Sequence, residues 1–211
     1  LEAKPAAIGP VRSVRPYYLD FLAPYDAPIA HAGGSGEALS QLSSQGFKDL
    51  EAFQNPNYYQ RVTTRYAPHN LYTSRDKLLE LQKAKGWNKS TFSGFVRKGK
   101  EEPAATPTAK SIDFKISSFL YNPHFDYDAK TNSYPRTLAG RSHSDEKTGK
   151  RIAPKVVVAL VMNHRYAGIY SVYGVTGSGT AYIFQDGKVT KGIWEKRNRK
   201  DQFRFGNAKG A

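Results

Sequence analysis

Hydrophobic and polar positions change their rhythm about half-way along the chain. In the first half, a short apolar run, Ile29-Ala30-His31-Ala32, meets Gly33-Gly34-Ser35-Gly36, and Glu37 to Leu42 then follows helical spacing. This reads as a strand turning tightly into a helix, with Ser35 as the cap whose hydroxyl accepts an otherwise orphaned amide of the first turn. A second helix follows Thr73-Ser74-Arg75-Asp76, a capping-box variant with Thr73 at the cap; Leu78, Leu79, Leu81 and Ala84 form its apolar face and Gly86 its stop. Phe47 to Phe53 reads as one more short helix, broken by Asn55-Pro56-Asn57.

The second half has period two. Ile112, Phe114 and Ile116 alternate with Asp113 and Lys115, and Phe125 and Tyr127 lead through a polar turn at 128–133 to Tyr134 and Arg136, which is a hairpin pattern. Val156 to Val161 is continuously apolar and reads as a central strand buried on both faces. Asp186-Gly187 signals a two-residue hairpin turn leading to Val189–Trp194. Between the halves, residues 98–110 lack apolar periodicity, carry two prolines and read as an exposed linker. The expected architecture is α+β, a layered sandwich: a mixed α/β domain over 1–97, the linker, and a mainly antiparallel β domain over 111–211. The chain starts at Leu1, and Phe203–Asn207 looks like a strand with no partner to follow, so both ends read as cut from a longer protein.

Composition adds charge to this picture. The 211 residues carry 32 Lys and Arg against 18 Asp and Glu, a net +14. Such an excess attracts polyanions: nucleic acid, anionic lipid headgroups or anionic wall polymers. The same charges also serve as solvated surface. There is no cysteine, which removes disulfides, thiolate metal sites and a cysteine nucleophile. No apolar stretch approaches the roughly 20 residues that span a bilayer.

Three segments of the first half carry candidate chemistry. Arg12 and Arg15 flank Ser13 between Pro10 and Pro16; their forked guanidinium groups suit carboxylate or phosphate, although three residues apart on extended chain they face opposite ways. A structural ion pair with Asp20 or Asp26 would use the same side chains. His31, Gly33, Gly34 and Ser35 stand where a helix amino end presents free amides to an anion; the spacing is no nucleotide fingerprint, and paired glycines also simply permit a tight turn. His69 and Asn70 lie on a loop ahead of the second helix, placed to orient a ligand, to act as a base or to brace the loop. In the second half, His143 and Asp145 would share a face of a strand as a dyad, too few ligands for a metal. The basic tail with Lys191, Lys196, Arg197, Arg199, Lys200 and Arg204 reads as a nucleic-acid surface or, more cheaply, as lysines guarding a sheet edge.

These segments carry a family resemblance. Ile8-Gly9-Pro10-Val11-Arg12-Ser13-Val14-Arg15-Pro16, His31-Ala32-Gly33-Gly34-Ser35 and Ala67-Pro68-His69-Asn70-Leu71-Tyr72 resemble the first domain of the YerB-like bacterial lipoproteins. Tyr134-Pro135-Arg136, His143-Ser144-Asp145, Val156-Val157-Val158, Gly177-Ser178-Gly179 and Gly192-Ile193-Trp194-Glu195-Lys196 are similar to their second domain. The resemblance implies an α+β layered fold, lipid anchoring outside the bacterial membrane through a cysteine ahead of residue 1, a further strand after Ala211, and no assigned activity. It leads us to expect a non-enzymatic surface domain pair with no cofactor and no metal. An anionic wall polymer or glycan is the expected ligand, and nucleic acid is the least favoured partner. The ligand-binding candidates are Arg12, Ser13, Arg15, His31, Gly33, Gly34, Ser35, His69, Asn70, Arg136, His143 and Asp145. The alternative is a hydrolase or transferase on an envelope polymer that uses the same His and Arg side chains.

Overall fold

A computed structural model describes residues 5–95 and 99–207. Its helices are α1 (Pro16–Leu22), α2 (Gly36–Ser44) and α3 (Arg75–Ala84). The strands of the first half are β1 (Ile29–His31), β2 (Asp49–Glu51), β3 (Gln60–Arg61) and β4 (Leu71–Tyr72). Those of the second are β5 (Ser111–Asp113), β6 (Pro123–Asp126), β7 (Arg136–Leu138), β8 (Arg141–Ser142), β9 (Val156–Leu160), β10 (His164–Ala167), β11 (Tyr170–Tyr173), β12 (Gly177–Gln185), β13 (Lys188–Lys196) and β14 (Arg204–Gly206). The architecture is α+β, as the residue pattern predicts. None of the described helices is long and apolar enough to cross a membrane.

The chain forms two compact units, and the second half contributes to both. Unit 1 takes residues up to Gly94 together with Asn163–Gly177 and Lys196–Gln202; unit 2 takes Phe95–Met162, Ser178–Glu195 and the chain from Phe203. The expected boundary at 97/98 lies outside the described residues.

Unit 1 is built on a parallel pair, Ile29↔Asp49, Ala30↔Leu50 and His31↔Glu51, joined by α2 because parallel neighbours need a crossover. This pairing recruits Asp49–Glu51 as a strand where the sequence pattern predicts a helix: Ile29 N–H bonds the Lys48 carbonyl and Ala52 N–H the His31 carbonyl. Strand alternation then separates two cores. Ile29 joins Val14, Leu19, Ala38 and Leu42, whereas Ala30 packs against Val11, Leu50, Tyr59, Leu71 and Leu81. Ser35 caps α2, its hydroxyl accepting from the Ala38 amide at 3.4 Å. For α3 the cap is Ser74, which accepts from Lys77 N–H, one residue beyond the predicted Thr73. The Thr73 hydroxyl instead donates to the Tyr58 carbonyl at 2.7 Å. The β10–β11 hairpin meets α1, where Tyr17 and Tyr173 stack edge to face at 5.3 Å.

Unit 2 holds two four-stranded antiparallel sheets, β5-β6-β7-β8 and β14-β13-β12-β9. Ile112 and Phe125 from the first and Val157 from the second share a core with Tyr134. The hairpin across 128–133 forms as predicted, closed by a bridge between Asp128 and Ser133. β9 corrects the expectation of a doubly buried central strand. Among the described residues it is the outer strand of its sheet, paired with β12; alternation turns Val157 into the core with Ile112, Phe125 and Tyr134 and leaves Val156 and Val158 exposed on the other face. Phe203–Asn207 does find a partner: Ile193 pairs with Gly206 and Trp194 with Phe205. Part of the stretch expected as an exposed linker is tied down, since Ala104 N–H bonds the Asp186 carbonyl and Thr108 and Ala109 N–H both reach the Gly187 carbonyl.

Candidate functional site

Residues 11–14 run as a seam between β4 and the end of β1. Val11 N–H bonds the Leu71 carbonyl at 2.8 Å, Ala32 N–H bonds the Arg12 carbonyl at 3.1 Å, and Val14 N–H bonds the Gly33 carbonyl at 3.0 Å. The seam draws together the segments around Arg12, Gly33 and His69, which are far apart in sequence. They enclose a hollow of about 340 Å³ whose wall includes Arg12, Ser13, Gly33, Phe53, Arg61 and Pro68.

Arg12 Nη1 approaches His69 Nδ1 at 3.3 Å on the exposed side of this hollow. Arg61 Nη1 donates to Asn70 Oδ1 at 2.7 Å, brought there because Arg61 pairs with Leu71 across β3–β4. Among the described residues neither guanidinium meets a carboxylate. Two cations with open donor positions on one wall are suited to oxyanions, which guanidinium binds through paired N–H groups. Phe53 adds an exposed ring. Arg61 and Phe53 were not visible as site residues in the sequence; no motif marks them, and only β3–β4 pairing and the turn after β2 bring them in. A hollow of about 260 Å³ continues past Phe53 and Arg61 toward Pro56 and Tyr59. Another of about 350 Å³, walled by Tyr18, Phe21 and Leu22, lies on the other side of Arg12 and Ser13.

Two amides of the glycine turn are engaged inside the fold. Gly33 N–H donates to Glu51 Oε1 at 3.0 Å, and Ser35 N–H to the Val14 carbonyl at 3.3 Å. Gly33 has φ +67°, the left-handed region that glycine tolerates. Gly34 is required for contact instead: a Cβ there would stand 2.7 Å from Val14 Cγ1. His31 is 2% exposed, with Nδ1 at 2.8 Å from the Gly33 carbonyl and Nε2 at 2.8 Å from Asp49 Oδ1. Both ring nitrogens are therefore engaged inside the fold. Ser13 Oγ donates to the Ala32 carbonyl at 3.2 Å.

Arg15 is separated from Arg12, as alternation on extended chain predicts. Its guanidinium lies 5.2 Å from the centre of the Tyr170 ring and donates to the Val14 carbonyl. The ion pairs imagined for these arginines go elsewhere: Asp20 pairs with Arg199 at 2.9 Å and Asp26 with Lys48 at 2.8 Å. Arg199 also stacks over Phe47, and Lys196 is fully buried, so these two members of the basic tail do not form an open surface.

Arg136, His143 and Asp145 lie in unit 2. Asp145 closes a turn, accepting from Thr148 N–H and Oγ1 at 2.8 Å and from Lys147 N–H, and the Thr148 amide above all holds its carboxyl below the usual range. Its Oδ1 serves the turn, and the buried His143 Nδ1 has no hydrogen-bond partner among the described residues, so the expected dyad does not form. Burial, with Arg136 nearby, pushes His143 below its ordinary 6.5. Among the described residues no three His, Asp or Glu side chains are grouped to hold a metal ion.

Residues 1–88 match the DUF3048 N-terminal domain and residues 112–211 the DUF3048 C-terminal domain, each described as a protein of unknown function. The chain belongs to this YerB-like, two-domain family. Within it, the chain is 25% identical over 200 residues to the protein named "Putative lipoprotein YerB" of Bacillus subtilis (strain 168), covering 92% of this chain. The match spans 60% of that relative's length. The crystal structure of YerB from Bacillus subtilis superimposes with a TM-score of 0.83 over 97% of this chain and 70% of the other, at 22% identity, which establishes a shared fold.

Proposed function

We propose that this chain is a non-enzymatic envelope domain that holds an anionic polymer or glycan in the hollow beside Arg12. The observation that carries this reading is the pair of guanidiniums, Arg12 and Arg61, on one wall without a carboxylate partner among the described residues. The adjoining hollows extend the recess on both sides, which suits a chain-like ligand, and the exposed Phe53 ring offers a stacking face to a sugar. The name of the lipoprotein relative supports placing the protein at a membrane surface by a lipid anchor. The rival reading, polymer hydrolysis or transfer, would rest on His69 as acid or base; the second histidine of the neighbourhood, His31, is engaged by Gly33 and Asp49, so binding is the better-supported reading.

The test is retention on purified teichoic acid across a salt series. Wild-type protein should be retained and released as salt rises, and Arg12→Ala or Arg61→Ala should each weaken retention about tenfold, the worth of one charge-assisted contact of roughly 1.5 kcal/mol. Retention that ignores both salt and these substitutions would discard the proposal.

A further inference from the structure

The loop joining β5 to β6 exposes an unusual run of large apolar side chains. Ile116 is 69% exposed, Phe119 68%, Leu120 59% and Tyr121 65%. The loop is nevertheless ordered by its own hydrogen bonds. Asn122 Oδ1 accepts from Ile116 N–H at 3.0 Å and Ser117 N–H at 2.8 Å, while Tyr121 and Asn122 N–H both bond the Ser118 carbonyl. Sheet topology puts the β7–β8 turn at the same end, and Phe119 lies against it: a Cβ on Gly140 would stand 3.3 Å from the Phe119 ring.

We infer that this tip inserts into the headgroup region of an anionic lipid bilayer. Side chains this exposed belong to a projecting tip, not to a groove that would receive a partner's side chain. The charge around them selects the occupant: Lys115 and Arg141 flank the tip, both exposed, while the carboxylates at the base of the loop, Asp113 and Asp126, are paired with His124. An apolar tip flanked by two cations combines acyl-chain burial with attraction to anionic lipid. Tyr121 fits the interface itself, where an aromatic body meets a polar end. The pre-ordered loop loses little conformational freedom on insertion. The tip shares no residue with the recess beside Arg12, and the inference does not depend on that reading.

The experiment is co-sedimentation of the protein with phosphatidylglycerol-containing vesicles and with pure phosphatidylcholine vesicles. Binding to the anionic vesicles is expected, weakened about tenfold or more in the double variant Phe119→Ser/Leu120→Ser. Because the chain has no cysteine, a Leu120→Cys variant can carry one polarity-sensitive dye, whose emission should shift to the blue on anionic vesicles. Thermal unfolding of the double variant is followed alongside, and an unchanged midpoint separates loss of binding from loss of the Phe119 contact with the β7–β8 turn. Three outcomes would each overturn the inference: no vesicle binding, binding that salt abolishes with no dye response, or self-association that the double variant removes, which would make a second copy the occupant.

Discussion

Lys196 Nζ donates to the Asp201 carbonyl at 2.7 Å, from a side chain with no exposed surface at all. The same ammonium bonds the carbonyls of Asn198 and Arg199, so the loop after β13 wraps a single buried cation. Burial holds its pKa below the usual 10.5, opposed by the charges of Asp20 and Asp201. Removing the ammonium takes this donor from the Arg199 and Asp201 carbonyls, while the Asn198 carbonyl keeps the Asp201 amide.

Lys196→Met should therefore lower the unfolding free energy by about 2–4 kcal/mol, since each buried unsatisfied acceptor costs on the order of 1–3 kcal/mol and some regain water. Lys200→Met, at an exposed position of the same loop, should stay within about 0.5 kcal/mol of wild type. Urea unfolding of the two variants checks the contrast; equal midpoints would remove the structural role assigned to Lys196.

His124 yields a pH signature. Its Nδ1 lies 2.8 Å from Asp113 Oδ1 and its Nε2 3.0 Å from Asp126 Oδ1, so both nitrogens face acceptors. The Asp113 carboxylate, with help from Asp126 and against partial burial, raises the pKa above 6.5. A raised folded pKa gives stability that is fully present below about pH 6.5 and is lost as pH rises through the folded value. The pair is partly exposed, so the gain is about 0.5 kcal/mol. His124→Ala should lose that much at pH 5.5, seen as a lower melting temperature, and converge on wild type at alkaline pH.

Gly34 and Gly36 separate close contact from mere flexibility. Gly34→Ala would push a methyl to 2.7 Å from Val14 Cγ1 and 3.1 Å from Leu39 Cδ2 and should destabilise by about 1–3 kcal/mol. Gly36→Ala, in the first turn of α2 with nothing within 4 Å, should be neutral or stabilise by up to about 1 kcal/mol. Denaturant midpoints moving in the same direction for both would contradict the packing of the seam on the glycine turn.

What local pattern dictates, the sequence alone determined. The strand–turn–helix at Ile29–Ser44 with Ser35 as cap, the helix from Arg75 to Ala84 stopped before Gly86, and the Asp186-Gly187 hairpin all follow from periodicity and turn chemistry within a dozen residues. The three first-half segments with candidate chemistry were also legible, as was their membership of a family. Long-range pairing decided the rest. Asp49–Glu51 became a strand because β1 offered it a parallel neighbour, and Val156–Leu160 stands at the edge of its sheet among the described residues, paired with β12. His31 and the Gly33 amide were withdrawn from ligand use by Asp49 and Glu51, residues some eighteen positions away. Arg61 entered the recess through its register with Leu71, and Lys196 left the surface for a carbonyl cage. Which face a polar side chain presents depends on partners that distant chain supplies, and only the folded structure brings those partners together.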